Sequence, residues 1–207
     1  MELMTKRFML RDFCDADRPA FEAYHADPRS HELCGANESD SGHAGQLIQL
    51  FKGWATEQPR LNFQLAIVRR NEAQTLIGCC GLRSKDSDPG KAELGIELAP
   101  EYWGRFGYAI EVMISLADFG FSNRGLKGIY GSTVSANPKI ERLATSFGAA
   151  AVERPAPTWM MAKGWRQIEW RISRSQWEAG RPTIRTITNN FRHAKGRSRG
   201  ADPDEIL

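Results

Sequence analysis

What the chain lacks narrows it first. No apolar run approaches the roughly 18 residues that a transmembrane helix needs. The opening stretch "MELMTKRFMLRDF" carries charges at Glu2, Lys6, Arg7, Arg11 and Asp12, where a secretory signal would be apolar. No membrane partner is therefore expected. Cysteine is scarce: Cys14, Cys34, Cys79 and Cys80 show neither metal-ligand spacing nor a disulfide framework. That points to reduced structural thiols, no metal and a cytoplasmic setting. Charge of one sign is lacking too. Lys and Arg number 28 against 25 Asp and Glu, a net of +3 over 207 residues, too mild to call for nucleic acid or a membrane surface. The Gly-Lys-Ser/Thr of a P-loop is absent, as is a Gly-x-Gly-x-x-Gly fingerprint after a first strand.

What is present is an alternation of periods. Residues 7–13 read as a strand. Asp15 or Asp17 could cap the helix that follows, "RPAFEAYHA", with Pro19 in its first turn. A polar loop leads to "AGQLIQLFKGWATEQ", whose Leu47, Leu50, Phe51 and Trp54 repeat at helical spacing. From residue 61 the period becomes two. "LNFQLAIVRR" and "QTLIGCCGLR" read as paired strands joined through Asn71 and Glu72, with the adjacent Cys79 and Cys80 pointing to opposite faces. "AELGIELAP" is a further strand and "GYAIEVMISLADFGFSNRG" a helix stopped at Gly125. "LKGIYGSTV" is a strand, and "NPKIERLATSFGA" a helix with Asn137 as cap and Pro138 at its first position. "AAAVERP" and "RQIEWRISRSQWE" close the core. The class is mixed α/β, one sheet with helices on it. Residues 1–180 read as one domain. Residues 181–199 hold six Arg or Lys and no acid, so 181–207 read as a flexible basic tail.

One junction asks for an explanation. "PEYWGRFGYAIE", Pro100 to Glu111, sets Gly104 and Gly107 between a strand and a helix, where each glycine costs roughly 0.5–1 kcal/mol relative to alanine. A tight glycine turn running into a helix gathers backbone N–H groups at the positive end of the helix, an anion site suited to phosphate. A turn that merely needs glycine is the alternative reading of the same residues.

The stretches "ELGIELAPEYWGRFGYAIEV" and "VSANPKIERLATSFGA", with "LRDFCDADRPAFEAYHADP" and "TLIGCCGLR", resemble the GNAT acyl-CoA N-acyltransferases. The branch they resemble is that of ribosomal-protein N-terminal acetyltransferases and their small-molecule relatives. The resemblance spans about residues 7 to 178 and implies the GNAT fold: a mixed, mostly antiparallel sheet of about six to seven strands, flanked by about four helices, with splayed central strands. It implies acetyl-CoA as co-substrate and no metal. Gly104, Arg105, Phe106, Gly107, Tyr108 and Ala109 match the family's pyrophosphate turn, with Gly104 where relatives carry Gln or Arg and one extra residue after Trp103. Asn137 matches the asparagine that contacts the pantetheine arm. The strand ending at Leu98 should part from "GIYGSTV", so that the pantetheine amides pair with its edge.

Glu93, Gly95 and Glu97 share one face of their strand. By resemblance Glu97 stands where relatives carry a general-base glutamate, and His25 and His31 are the other candidates. The family's usual acid positions hold Ile140, Phe147 and Trp170. The leaving thiolate then departs unassisted, as a thiol pKa near 8.5 permits, or takes a proton from Ser135, Ser146 or Tyr130. The acceptor is expected to be a primary amine, of a small molecule rather than a protein N-terminus. Asp27, Glu32, Glu38 and Asp40 would favour a cationic one, and Trp159, Trp165 and Trp170 read as core before cage. Two other functions stay open: a CoA-binding module without turnover, and an acetyltransferase whose basic tail brings a ribosomal or aminoacyl-tRNA acceptor. Relatives leave a homodimer open, but no interface is legible in the residues.

Overall fold

A computed structural model describes residues 1–33, 35, 42–70, 74–105 and 107–180. Phe106, Glu38, Asp40, Cys34, the Asn71–Glu72 junction and the basic tail lie outside them. The strands are β1 (Glu2–Met4), β2 (Phe8–Asp12), β3 (Asn62–Arg69), β4 (Leu76–Arg83), β5 (Lys91–Leu98), β6 (Gly128–Val134), β7 (Ala150–Arg154) and β8 (Gln167–Ser173). They form one sheet in the order β1-β2-β3-β4-β5-β6-β8-β7. Every neighbouring pair is antiparallel except β5 and β6.

The helices are α1 (Arg18–His25), α2 (His43–Thr56), α3 (Tyr108–Asp118), α4 (Pro138–Ser146) and α5 (Thr158–Ala162), with residues 174–180 also helical. Side chains alternate across the two central strands, so both faces of the sheet are buried. Leu65, Ile67, Cys80 and Leu82 pack with Val112 and Leu116 of α3 on one side. Ala66, Val68 and Cys79 pack with Phe21, Ile48 and Phe51 of α1 and α2 on the other. The adjacent cysteines therefore do face opposite ways.

Several elements differ from the expectation. Eight strands stand where about six to seven were expected, because Glu2–Met4 folds back on β2 through Leu3–Leu10. The last strand stops at Ser173, whose hydroxyl and N–H both meet the Gln176 side chain. Residues 174–180 then turn helical and bury Trp177, which donates from Nε1 to Asp118 at 2.9 Å. Asp17 stands at the N-cap of α1, but its side chain makes no capping bond there. Asp17 is buried and accepts two hydrogen bonds from Arg11, each 2.7 Å, and one from the Cys14 N–H at 2.9 Å. Burial pushes its pKa up, but these bonds outweigh that and hold it below the ordinary carboxylate value.

A bulge sets how β4 presents β5. The β3–β4 register slips between Ile67 and Val68, so Ile77 joins the α3 side while Cys79 faces α1 and α2. Gly78 lies in this bulge at φ 153°, and a Cβ there would come within 2.1 Å of the Glu97 carbonyl oxygen. Gly78→Ala is expected to lower the unfolding free energy by at least about 2 kcal/mol. A urea-melt midpoint that stays at the wild-type value would contradict this.

Candidate active site

The parallel pairing of β5 with β6 covers only Lys91–Gly128, Ala92–Ile129 and Glu93–Tyr130. Beyond it β5 continues beside β4 as far as Leu98, and β6 continues beside β8 as far as Val134. The two strands open into a V. Ala99 N–H donates to the Ile77 carbonyl at 2.9 Å, in register with the Glu97–Cys79 and Gly95–Gly81 pairs. Odd-numbered residues of β5 thus turn their backbone groups toward β4. Even-numbered ones, Ile96 and Leu98, turn theirs into the V. The Leu98 carbonyl accepts there from the Trp103 indole at 2.7 Å. Across the opening, Lys139 of α4 sets its ammonium 3.8 Å from the centroid of the Trp103 ring.

At the wide end of the V lies the glycine turn. A 3-10 turn, Pro100–Tyr102, leads to Gly104 at φ 70° and Gly107 at φ 76°, both left-handed conformations that glycine adopts without penalty. Gly107 is the N-terminal cap of α3. Arg105 N–H donates to the Tyr102 carbonyl at 3.4 Å and Tyr108 N–H to that of Arg105 at 3.3 Å. The first turn of α3 therefore presents its remaining N–H groups outward, with Arg105 exposed beside them.

An acid in that first turn, Glu111, would oppose an anion. Arg7 neutralises it: its backbone N–H donates to Glu111 Oε1 at 2.7 Å and its Nε to Oε2 at 2.6 Å, while Nη2 reaches the Gly107 carbonyl at 2.7 Å. With the opened strand, these features fit a phosphate group joined to an extended amide-bearing arm. Asn137 caps α4 through Oδ1, which accepts from the Ile140 N–H at 3.3 Å. Its Nδ2 donors take no part in that bond.

Glu97 projects from the α1/α2 face of β5, one residue before Leu98, and is about two-fifths exposed (42%). Its Oε2 lies 3.8 Å from the Cys79 sulfur, which in turn lies 3.3 Å from Gln64 Nε2. His25 Nε2, at the end of α1, lies 3.5 Å from Glu97 Oε1. Burial, helped by His43 and His31, pushes the His25 pKa down to about 4, so the ring is neutral near pH 7. Burial and then Glu97 push the Cys79 thiol up, which keeps it protonated near pH 7. The Tyr24 hydroxyl is raised by burial, then by Cys79 and Glu97. Three buried polar atoms of this region lack hydrogen-bond partners: Tyr24 Oη, His25 Nε2 and Gln64 Oε1.

Of the residues picked out in the sequence, the fold gathers His25 with Glu97 and places Leu98 at the head of the glycine turn. His31 contacts the His25 carbonyl through Nε2. Ser135 ties the end of β6 to Arg166: its Oγ accepts from Arg166 N–H at 3.0 Å and its N–H donates to the Arg166 carbonyl at 2.8 Å. Its hydroxyl hydrogen is not used in either bond. The Ser146 hydroxyl donates within α4 to Leu143 at 2.6 Å. Tyr130 and Ser87 share a hydroxyl contact of 3.0 Å. Asp27 pairs with Arg29, and Trp159 packs edge-on against Trp165. Among the described residues, no group of three His, Cys, Asp or Glu could hold a metal ion. Sequence reasoning missed Tyr24, Gln64, Arg7, Glu111, Trp103 and Lys139. Gln64, polar inside the apolar run "LNFQLAIV", was the one legible signal.

A family model described as an acetyltransferase (GNAT) domain matches residues 7–150, and the chain belongs to that family. It is 29% identical over 143 residues to the uncharacterized N-acetyltransferase p20 of Bacillus licheniformis, covering 68% of this chain and 78% of that one. An acetyltransferase structure from Agrobacterium tumefaciens str. C58 superposes with a TM-score of 0.65 at 24% identity, over 84% of this chain and 95% of the other. The spermidine/spermine N-acetyltransferase SpeG from Vibrio cholerae does so with a TM-score of 0.62 at 18% identity, over 83% and 96%. These two likenesses concern the fold. By family the protein is an acyl-CoA N-acyltransferase. No helix among the described residues is long and apolar enough to cross a membrane.

Removing the Arg7 cover should expose the Glu111 charge to the bound anion. Arg7→Ala is expected to weaken acetyl-CoA binding about fivefold at low salt, and Arg7→Ala/Glu111→Gln to recover most of the loss. Equal weakening in both variants, measured by calorimetric titration, would show that Arg7 acts through packing alone.

Proposed function

We propose that this GNAT acetyltransferase moves an acetyl group from acetyl-CoA to a primary amine, more readily that of a small molecule than a protein N-terminus. The observation that carries this reading is the place of Glu97, beside the opened edge of β5 and three residues before the Pro100–Tyr102 turn that leads to α3. The pyrophosphate lies against the backbone of Gly104, Arg105, Gly107, Tyr108 and Ala109 and the start of α3. Phe106 completes the matching motif from outside the described residues. The pantetheine arm runs along Ile96 and Leu98, adding to the edge as an extra strand, with Asn137 Nδ2 within the same groove. A β5 N–H aimed into the V polarises the thioester carbonyl.

The reaction then balances as follows. An incoming ammonium loses a proton to the Glu97 carboxylate, directly or through one water, and the free amine attacks the thioester carbon. The carbon–sulfur bond breaks as the tetrahedral adduct collapses, and the nitrogen now bonded to carbon gives up its second proton, either to solvent or to replace one donated to the departing sulfur, yielding the acetamide and CoA. Ser135 keeps a hydroxyl hydrogen that it can give to the thiolate; a thiolate leaving unassisted is chemically tolerable. The Glu97 surroundings support a compact acceptor. Tyr24 and His25 of α1 wall one side, and Gly35 lies against Trp159 of the β7–β8 connection. SpeG, which shares the fold, is named for a small polyamine, in keeping with that preference.

Two variants separate binding from chemistry. Glu97→Gln is expected to lower kcat by about 10²–10⁴-fold with acetyl-CoA affinity retained. Gly107→Glu should abolish acetyl-CoA binding in a calorimetric titration. Full turnover in Glu97→Gln, followed by thiol release over a panel of amines and N-terminal peptides, would remove the base assignment. Binding that survives Gly107→Glu would remove the cradle.

A further inference from the structure

The His25 imidazole is held between two aromatic rings while its Nε2 makes no hydrogen bond. Its ring centroid lies 4.4 Å from that of Phe21 and 4.7 Å from that of Tyr24, which fixes the ring plane. Its side chain is only 13% exposed, and Nε2 is buried without a hydrogen-bond partner. A buried polar atom left in that state is destabilising, so the arrangement calls for a partner in some state of the protein. Glu97 Oε1, 3.5 Å away, is within reach of a small carboxylate rotation. Hydrogen bonds of this kind are often long in an empty site and tighten when the reacting groups are in place.

We propose that His25 is a positioning residue for Glu97: its Nε2–H donates to Oε1 once the acceptor is bound, and so turns Oε2 toward the amine. This rests on the Glu97 reading above. Burial keeps the ring neutral above about pH 4, so His25 gives a hydrogen bond and takes no proton from the base. A donor to the carboxylate favours its charged form, which keeps Glu97 competent to lower pH. The other titratable or charged groups near the pair come from each element around it. They are Tyr24 on α1, His31 in the turn after it, His43 at the start of α2, and Cys79 with Arg83 on β4.

The test is the acid limb of kcat/KM against pH. His25→Phe, which keeps the ring and loses the donor, is expected to move that limb up by about one pH unit, a tenfold loss of kcat/KM on its flank. The KM for acetyl-CoA should hold. His25→Gln, whose amide N–H can reach Oε1, should return the limb most of the way, and His43→Gln should leave the limb in place. A limb that survives in Glu97→Gln sinks the base assignment itself. A limb that vanishes in Glu97→Gln yet stays put in His25→Phe sinks only the role of His25. Should His25→Phe not fold, nitrogen NMR of the wild type decides: a neutral Nε2–H tautomer down to about pH 5 supports the proposal, and the Nδ1–H tautomer overturns it.

Discussion

Two neighbouring strands, β5 and β6, stop hydrogen-bonding after three residue pairs, and the rest of the molecule is arranged around that interruption. A buried sheet does not leave backbone groups unpaired without a ligand or a substitute, because each costs a lost hydrogen bond. Here β4 keeps β5 in line through Leu98 and β8 keeps β6 in line through Val134, so the two strands diverge while each stays paired on its outer side. The α3 core holds the base of the V closed through Ala92, Leu94 and Ile129. The parting leaves an open edge on β5, with the turn to α3 at its end and a carboxylate, Glu97, on its strand. A site on strands and helix ends is held more precisely than one on loops.

Much of this was legible in the residues. The helix at Pro138 and its asparagine cap, the switch to a period of two at residue 61, and the opposite facing of Cys79 and Cys80 follow from local rules. The glycine turn could be read because left-handed backbone demands glycine and little else. The misses share one physical cause: each depends on a partner far along the chain. Glu2–Met4 is a strand only because β2 is there to pair with it. The Asp17 side chain fails to cap α1 because Arg11, six residues earlier, claims its carboxylate. Arg7 covers Glu111 from 104 residues away. The end of β8 depends on Trp177 finding Phe121 and Phe147 in the core. No window of sequence contains those pairings.

The surroundings of Glu97 illustrate how an active site departs from core rules. Gln64 sits 96% buried among apolar neighbours, with relative exposure of 4%, and its carbonyl oxygen bonds to nothing. An all-apolar strand at that position would pack more stably. Cys79, a soft and weak donor, stands between this amide and the carboxylate and is itself held in the thiol form. The row Gln64, Cys79, Glu97 runs across three strands from the fully buried to the half-exposed, so polarity rises toward the opening of the V.

Trp103 bears on the behaviour of the protein before any substrate arrives. An exposed strand edge is a template on which a second chain can add, and proteins commonly protect such edges with charge or cover. The part of β5 that β6 abandons is such an edge inside the molecule. The Trp103 indole occupies the Leu98 carbonyl, and the Lys139 ammonium lies over its ring. Bulk and positive charge thus stand where a foreign strand would dock. This cover guards the protein against joining edge to edge with its own copies.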